Sequence, residues 1–229
     1  VSNTFIATIE AITQNKATPI LVDVGKDGLM DMNLLTNALT SKTTAIIPVH
    51  LSGDVCNMSV LKEVVDYGQR KYGNKIFIIE DACQALGGTW NGEKAGTIGE
   101  IGCFSFYPAK ILGTIGEGGA VITNNEETYN LIKSLQNHSD IGKSKGAEDK
   151  FVQYGDNARL DSLKCGILSE KLKQISLYLE KRELAAVIYL NGLNGIGDIE
   201  LPLKKKGKVW QEFIIRTEKR NELAKFLTE

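Results

Sequence analysis

The sequence predicts an α/β domain built on a mainly parallel sheet. Segments with strand character alternate with segments of helical periodicity from residue 20 to residue 135. The strand segments are short and largely apolar, which is typical of parallel strands that are covered on both faces. A strand–helix–strand–helix order favours a doubly wound arrangement, because helices then connect the parallel strands. The 229 residues suffice for one sizeable core and a smaller appended unit.

Short runs of apolar or alternating residues predict the strands. We expect them at residues 20–24, 45–49, 76–80, 101–106 and 120–123. Pro108 follows the fourth of these runs, and the chain must turn there because proline restricts the residue before it and lacks an N–H group. Glycines at positions 113, 116, 118 and 119 then leave the backbone open to a close-lying ligand.

Helices are predicted from apolar periodicity and from capping residues. Three residues are expected to begin helices: Asp31, Ser59 and either Asn124 or Asn125. The apolar faces of these three helices comprise, in chain order, Leu34, Leu35, Ala38 and Leu39; Leu61, Val64, Val65 and Gly68; and Leu131, Ile132 and Leu135.

The sequence changes character after residue 138. Residues 139–149 are polar and contain glycine, so we expect a loop. A helical pattern runs from Asp161 to about Leu190. Residues 204–208 form a basic loop, interpreted as solvated surface, and residues 209–216 predict a strand before a final helix.

Two units are therefore expected. Residues 1–165 would form a large domain, and residues 166–229 a connecting helix with part of a small α+β domain. The chain begins without methionine and ends within a helical pattern, so we expect a fragment that lacks both termini of the whole protein.

Composition argues against several classes of partner. The sequence is 42% apolar and 24% charged with a net charge of −1, which favours neither nucleic acid nor an anionic membrane. No apolar run approaches the roughly 20 residues of a membrane span, and the N-terminus lacks the features of a signal peptide. The four cysteines lack metal-site spacing, so we expect reduced thiols in a cytoplasmic protein and no metal.

Asp81 and Lys110 carry the chemical signal of the sequence. Asp81 ends one predicted strand and Lys110 follows another, and ligands of open α/β sheets bind beyond the carboxyl ends of the strands. Pyridoxal 5′-phosphate requires such a pair, because a lysine bonds its aldehyde and a carboxylate keeps its pyridine nitrogen protonated. Spacing alone leaves two alternatives open, a surface lysine and an aspartate that caps a helix or forms a salt bridge.

Several blocks stand in the order of one known family. They include TFIAT at 4–8, IIEDACQALGGTWNGEKAG at 78–96, FSFYPAKILGTIGEGGAVITN at 104–124 and YGDNARLDSLKCGIL at 154–168. In these blocks the chain resembles the DegT/StrS-type sugar aminotransferases, which are fold-type I pyridoxal-phosphate enzymes acting on nucleotide-linked keto sugars. The resemblance implies the three-layer, mainly parallel sheet of their large domain, followed by a partial small α+β domain.

The resemblance also implies the roles of five side chains around the cofactor. Lys110 would be the Schiff-base lysine, and Asp81 the partner of the pyridine nitrogen. Phe5 would stack on the pyridine face, with Gln84 beside the ring. Ser105 would bind the cofactor phosphate.

Asn157 is implied to contact the cofactor phosphate of the neighbouring subunit. The resemblance therefore implies a homodimer with shared active sites, whereas the alternative role of Asn157 is to cap the helix that begins near Asp161. The implied reaction moves an amino group from an amino acid, with glutamate as the expected donor, to the keto sugar of a nucleotide sugar. Such a reaction belongs to amino-sugar and polysaccharide biosynthesis.

Other functions compete with this assignment. A related branch of the family performs sugar dehydration with the same cofactor and has histidine in place of the lysine, so Lys110 argues against it. A non-catalytic regulatory α/β domain would be favoured only if the cofactor failed to bind. A nicotinamide-dependent oxidoreductase is disfavoured because no G-x-G-x-x-G follows a strand. The two histidines, His50 and His138, are left out of the site, and His50 is interpreted as a hydrogen-bonded structural residue.

Overall fold

A mixed four-stranded sheet organises the structure, a computed structural model that describes residues 1–139 and 154–228. The strands are β1 (Ala45–Ile46), β2 (Phe77–Asp81), β3 (Thr89–Trp90), β4 (Glu93–Lys94), β5 (Ile101–Ser105) and β6 (Gly119–Ile122). The helices are α1 (Ala7–Gln14), α2 (Met32–Ala38), α3 (Met58–Tyr72), α4 (Glu126–Leu135), α5 (Ser162–Leu172), α6 (Ile175–Leu193) and α7 (Arg220–Thr228). The sheet order is β1-β2-β5-β6, and β3 pairs with β4 in a separate hairpin.

The sheet is parallel except at one edge. β2 pairs in parallel with both β1 and β5, whereas β6 pairs with β5 in the antiparallel direction. The predicted mainly parallel α/β class is confirmed. Asp81 lies opposite Cys103 in the register, so the carboxyl ends of β2 and β5 open at the same edge of the sheet.

The core lies between this sheet and helices α2 and α3. The predicted apolar face of α3 is confirmed, because Leu61, Val64, Val65 and Gly68 are all buried. Gly68 is needed for close packing, since a Cβ atom there would stand 2.9 Å from a methyl group of Ile76 on the strand side. Each fully buried aliphatic side chain contributes about 1.5–3 kcal/mol relative to an exposed one.

Two of the three predicted helix caps are confirmed. The carboxylate of Asp31 accepts hydrogen bonds from the first turn of α2, and the side chain of Asn125 accepts one from the first turn of α4. The cap predicted at Ser59 is wrong, because Asn57 caps α3 two residues earlier through the N–H of Val60. The Ser59 hydroxyl instead accepts a hydrogen bond from the indole N–H of Trp90 at 2.9 Å.

The strand predicted at residues 20–24 does not form. Ile20 and Leu21 are 67% and 57% exposed, and Val24 makes only an isolated bridge with Met30. A short apolar run becomes a strand only where another strand supplies its backbone partners, and none of the strands in the described part of the chain pairs with Ile20.

The strand predicted at residues 209–216 is also wrong. Arg216 forms an isolated bridge with Glu200, while the N–H of Val209 bonds the carbonyl oxygen of Gly53 at 2.9 Å. Single backbone hydrogen bonds join Val209 and Gln211 to the loop after β1, and this segment forms no ladder with any strand in residues 1–139 and 154–228.

The helical pattern predicted from Asp161 to about Leu190 contains a break. α5 ends at Leu172 and α6 begins at Ile175, because Gln174 leaves the helical backbone region. The apolar spacing continues across the break, so periodicity could not reveal it. The division into residues 1–165 and 166–229 stays a prediction.

The interpretation of residues 204–208 as solvated surface is wrong for two of their lysines. The ammonium of Lys205 lies 2.9 Å from a carboxylate oxygen of Asp54 and 3.1 Å from one of Asp27. The side chain of Lys208 is only 7% exposed and lies over the indole ring of Trp210. The loop is therefore anchored by partly buried charges.

The loop predicted at residues 139–149 falls, apart from Ser139, outside the described residues. Among the helices of residues 1–139 and 154–228, none combines the length and apolarity that a bilayer crossing requires.

Candidate active site

The buried carboxylate of Glu80 holds together the segments that surround the candidate site. One of its oxygens accepts hydrogen bonds from Nε2 of His50 and from the N–H of Gly96, both at 2.8 Å. The other oxygen accepts from the N–H groups of Ile98 and Gly99, both at 2.6 Å. The carboxylate thus joins strand β2, the segment after β1 and the loop that leads into β5.

His50 is a structural residue with both ring nitrogens engaged. Its Nδ1 accepts the N–H of Cys56 at 3.2 Å, so the ring proton resides on Nε2 and points to Glu80. The side chains of His50 and Glu80 are both fully buried. The interpretation of His50 as a hydrogen-bonded structural histidine is confirmed.

The pKa of Glu80 lies below its ordinary value. Burial by itself raises the pKa, but the hydrogen bonds donated by His50, Gly99 and Gly96 outweigh this effect. A buried carboxylate is tolerated only when such donors satisfy its oxygens. Glu80 is therefore held as an anion in the folded protein.

Asp81 emerges on the opposite face of the strand from Glu80, because successive side chains of a strand alternate. One oxygen of its carboxylate accepts the hydroxyl of Thr8 at 2.7 Å, and the other accepts the N–H of Cys83 at 3.2 Å. Thr8 belongs to the first turn of α1, so this bond ties α1 to the end of β2. Phe5 lies just before α1 and exposes 73% of its surface.

Ser105 and Lys110 follow from strand β5. Ser105 ends the strand, and its hydroxyl oxygen accepts the N–H of Tyr107 at 3.2 Å, which leaves the hydroxyl proton available to a ligand. The chain then turns, with the N–H of Lys110 bonded to the carbonyl oxygen of Tyr107. The Lys110 side chain is half-buried, and its ammonium has no hydrogen-bond or ion-pair partner among residues 1–139 and 154–228.

The charges of Asp81 and Lys110 have opposite effects on the pKa of the Cys83 thiol. Burial raises the pKa of Cys83, the charge of Asp81 raises it further, and the charge of Lys110 partly opposes both. Burial and then Asp81 also raise the pKa of Cys103 to about 11. The edge of the sheet therefore combines one anion, one cation and neutral thiols.

Gln84 and Asn157 occupy different surroundings. The side-chain oxygen of Gln84 accepts the N–H of Ser52 at 2.6 Å, which joins the loops after β1 and β2. Asn157 is exposed and forms an isolated bridge with Asn137, beyond the end of α4. The alternative that Asn157 caps the next helix is wrong, because Asp161 occupies the cap position of α5.

Sequence reasoning missed three contributors to this arrangement. Glu80 carried a usable signal, since a charged residue inside an apolar strand must find buried partners. No sequence signal pointed to the other two residues. Thr8 holds Asp81, which lies 73 residues away, and Gln211 contacts the turn around Lys110, which lies about 100 residues away.

Comparison with known proteins assigns the chain to a family. The chain belongs to the DegT/DnrJ/EryC1/StrS aminotransferase family, whose sequence profile matches residues 1–229. The fold is that of fold-type I pyridoxal-phosphate enzymes, because solved structures similar to this chain include aminotransferases of this family.

Individual relatives make the likeness concrete. A dTDP-3-amino-3,4,6-trideoxy-α-D-glucose transaminase from Micromonospora megalomicea subsp. nigra is 37% identical over 238 residues, covering 100% of this chain and 60% of the relative. A dTDP-3-amino-3,6-dideoxy-α-D-galactopyranose transaminase from Aneurinibacillus thermoaerophilus is 38% identical, with the same coverages. The crystal structure of S. venezuelae DesV with a ketimine intermediate superposes with a TM-score of 0.88 at 35% identity, covering 99% of this chain and 59% of DesV. The chain thus spans about 60% of the length of these proteins.

The residues at the sheet edge fit pyridoxal 5′-phosphate. Lys110 offers a half-buried amine without a competing partner in the described chain, and Asp81 offers a carboxylate that two hydrogen bonds orient. Ser105 keeps a hydroxyl proton for a phosphate oxygen, and Phe5 presents an exposed aromatic ring. Each feature meets one chemical requirement of this cofactor.

We expect Glu80→Gln to destabilise the fold by about 3 kcal/mol, because an amide cannot accept four hydrogen bonds and leaves buried N–H groups unpaired. The pKa of Glu80 is lower in the folded than in the unfolded state. Its stabilising effect is therefore complete above the ordinary value of 4.5 and is lost as the pH falls through the folded-state value. Urea unfolding at several pH values measures both effects.

The exposed Glu63 of α3 provides the matched control, since Glu63→Gln should leave the unfolding free energy within about 0.5 kcal/mol of the unmodified protein. Acid destabilisation that is the same in Glu80→Gln as in the unmodified protein would show that Glu80 contributes no such pH dependence.

Proposed function

We propose that this chain is the cofactor-binding part of a pyridoxal-phosphate-dependent aminotransferase. It would move an amino group from an amino acid, with glutamate as the proposed donor, to the keto sugar of a nucleotide sugar in amino-sugar and polysaccharide biosynthesis. One observation carries the proposal: β2, which ends at Asp81, and β5, after which the chain turns at Lys110, run in parallel and open at the same edge of the sheet. The names of the relatives support the substrate class, because those proteins act on dTDP-linked sugars.

The residues divide the work of such a reaction. When bound, the cofactor supplies an electron sink for the electron pair left at the reacting carbon. Asp81 would hold a proton on the pyridine nitrogen, and the hydroxyl of Thr8 keeps its carboxylate in place. Lys110 would bond the aldehyde and, once displaced by the substrate amine, carry a proton at Nζ.

The remaining side chains would bind and orient the cofactor. Ser105 would donate its hydroxyl proton to the phosphate, and the ring of Phe5 would cover the pyridine face. Gln84 would lie beside the ring, because Ser52 fixes its side-chain oxygen at the sheet edge. The dehydratase alternative is disfavoured at this site, since it calls for histidine where Lys110 stands.

The proposed assembly is a homodimer with shared active sites. Asn157 supports it, because its exposed side chain lies beyond α4 and no hydrogen bond within the described part of the chain links it to Asp81 or Lys110. A two-fold dimer would let one interface complete two equivalent sites. A cytoplasmic location is proposed because all four cysteines are free thiols, which a reducing compartment preserves.

Borohydride reduction of the protein with bound pyridoxal 5′-phosphate should leave a phosphopyridoxyl group on Lys110, which peptide mapping identifies. Lys110→Ala should lose both this label and turnover, because alanine has no amine that can bond the cofactor aldehyde. Lys94 on the exposed hairpin is the matched control, and Lys94→Ala should keep both. A label on Lys94 or Lys143 would show that the site is misplaced, and a protein that binds no cofactor would favour the regulatory alternative.

Asp81→Asn should reduce turnover about a hundredfold or more, the scale of losing a key electrostatic contact in a catalytic site. The amide keeps the shape of the side chain but cannot hold the pyridine nitrogen protonated. Steady-state kinetics measure the loss, and Asp66→Asn on the exposed face of α3 should leave turnover unchanged. Near-normal turnover of Asp81→Asn would show that Asp81 has no role in the reaction.

Mixing the inactive variants Lys110→Ala and Asn157→Ala should restore activity in about a quarter of the sites. In a mixed two-fold dimer, one site combines the intact lysine with the intact asparagine, and the other lacks both. Mixing Lys110→Ala with Asp81→Asn is the control and should restore nothing, because both residues belong to one chain's site. If the first mixture also stays inactive, the sites are not shared.

A further inference from the structure

A side chain from the C-terminal part of the chain holds the turn that carries Lys110. The side-chain nitrogen of Gln211 donates to the carbonyl oxygen of Ala109 at 3.0 Å. Its side-chain oxygen accepts the N–H of Ile111, also at 3.0 Å. One amide group therefore bonds the backbone on both sides of Lys110.

The turn has few other restraints. Pro108 has no N–H group, and the single backbone hydrogen bond inside the turn joins the N–H of Lys110 to Tyr107. Among the described residues, Gln211 is the only hydrogen-bond partner of the Ala109 carbonyl and of the Ile111 N–H. Ala109, before Lys110, is exposed, whereas the side chain of Ile111, after Lys110, is buried.

Gln211 is itself held by two separate parts of the fold. Its backbone N–H bonds the carbonyl oxygen of Ser52 at 3.3 Å, in the loop after β1. The guanidinium of Arg182 on α6 donates to the carbonyl oxygens of Trp210 and Gln211, at 3.0 and 3.2 Å. The neighbouring Glu183 accepts the indole N–H of the buried Trp210 at 2.6 Å. The amide of Gln211 is thus presented to the turn from a fixed backbone.

We propose that Gln211 is a positioning residue for Lys110. The inference rests on the proposed function, in which Lys110 is the reactive amine. The described hydrogen bonds of the Gln211 side chain go to the backbone of Ala109 and Ile111 and not to the Lys110 amine. Gln211 sets the position of the Lys110 backbone and hence the point from which the flexible side chain would extend to the cofactor and the substrate.

Two substitutions separate the halves of this contact. Gln211→Met keeps the length of the side chain and removes both hydrogen bonds. Gln211→Glu keeps an acceptor for the N–H of Ile111 and loses the donor to Ala109. The matched control is Gln14→Met, because Gln14 is exposed at the end of α1 and makes no side-chain hydrogen bond in the described structure.

Hydrogen exchange of the Ile111 amide tests the contact without any turnover. In the protein loaded with pyridoxal 5′-phosphate, Gln211→Met should exchange this amide about tenfold faster, the scale of one lost hydrogen bond. Gln211→Glu and Gln14→Met should leave the rate unchanged. Unchanged exchange in Gln211→Met would overturn the proposal, because the contact would then not restrain the turn.

Kinetics normalised to the sites that borohydride labels test the positioning role. Both Gln211 variants should lower kcat per labelled site about tenfold while KM for the amino donor changes less than about twofold. A merely structural role would reduce the number of labelled sites and leave kcat per site unchanged, which would overturn the proposal. If Lys110→Ala kept label and turnover, the proposed function would fail, and the exchange data would still report separately on the Gln211 contact.

Discussion

The arrangement of the sheet edge depends on the four hydrogen bonds that the buried carboxylate of Glu80 accepts. Removing an anion from water is costly, and four N–H donors offset that cost here. These donors come from His50 after β1 and from the loop between β4 and β5, so the carboxylate joins three neighbouring parts of the sheet. Because Asp81 is the next residue of the same strand, the anchoring of Glu80 on one face fixes where Asp81 emerges on the other.

The two charged residues of the candidate site are held in different ways. Asp81 stands on a strand whose backbone bonds Pro48 and His50 on one side and pairs with β5 on the other, so its Cα position is set by the sheet. Lys110 stands on a turn beyond β5, and its position depends on contacts from remote segments. The position of Lys110 relative to Asp81 therefore depends on the segments that support its turn. Substitutions in those segments can change this position although they lie far away in the sequence.

Residues 205–211 contact the sheet-containing part of the chain through ion pairs and backbone hydrogen bonds. Lys205 and Lys208 surround Asp54, and backbone hydrogen bonds join Val209 to Gly53 and Gly207 to Thr89. Gly207 has a positive φ of 84°, and a Cβ atom there would stand 2.2 Å from the carbonyl oxygen of Thr89, so only glycine allows this approach. The path of the segment brings Gln211 to the turn around Lys110.

Features that depend on neighbours along the chain could be predicted from the residues alone. The α/β class, the caps at Asp31 and Asn125, the buried face of α3 and the places of Asp81 and Lys110 at strand ends all follow from local periodicity and local residue chemistry. Which apolar runs pair became clear only in the folded chain, since residues 20–24 and 209–216 have strand composition but lie beside no strand of the described residues. The tertiary structure also decided that Glu80, Thr8 and Gln211 support the site, because the backbone and side-chain groups they bind come from distant segments. Hydrogen bonds between remote residues leave no period in a sequence, and they become visible only when the chain is folded.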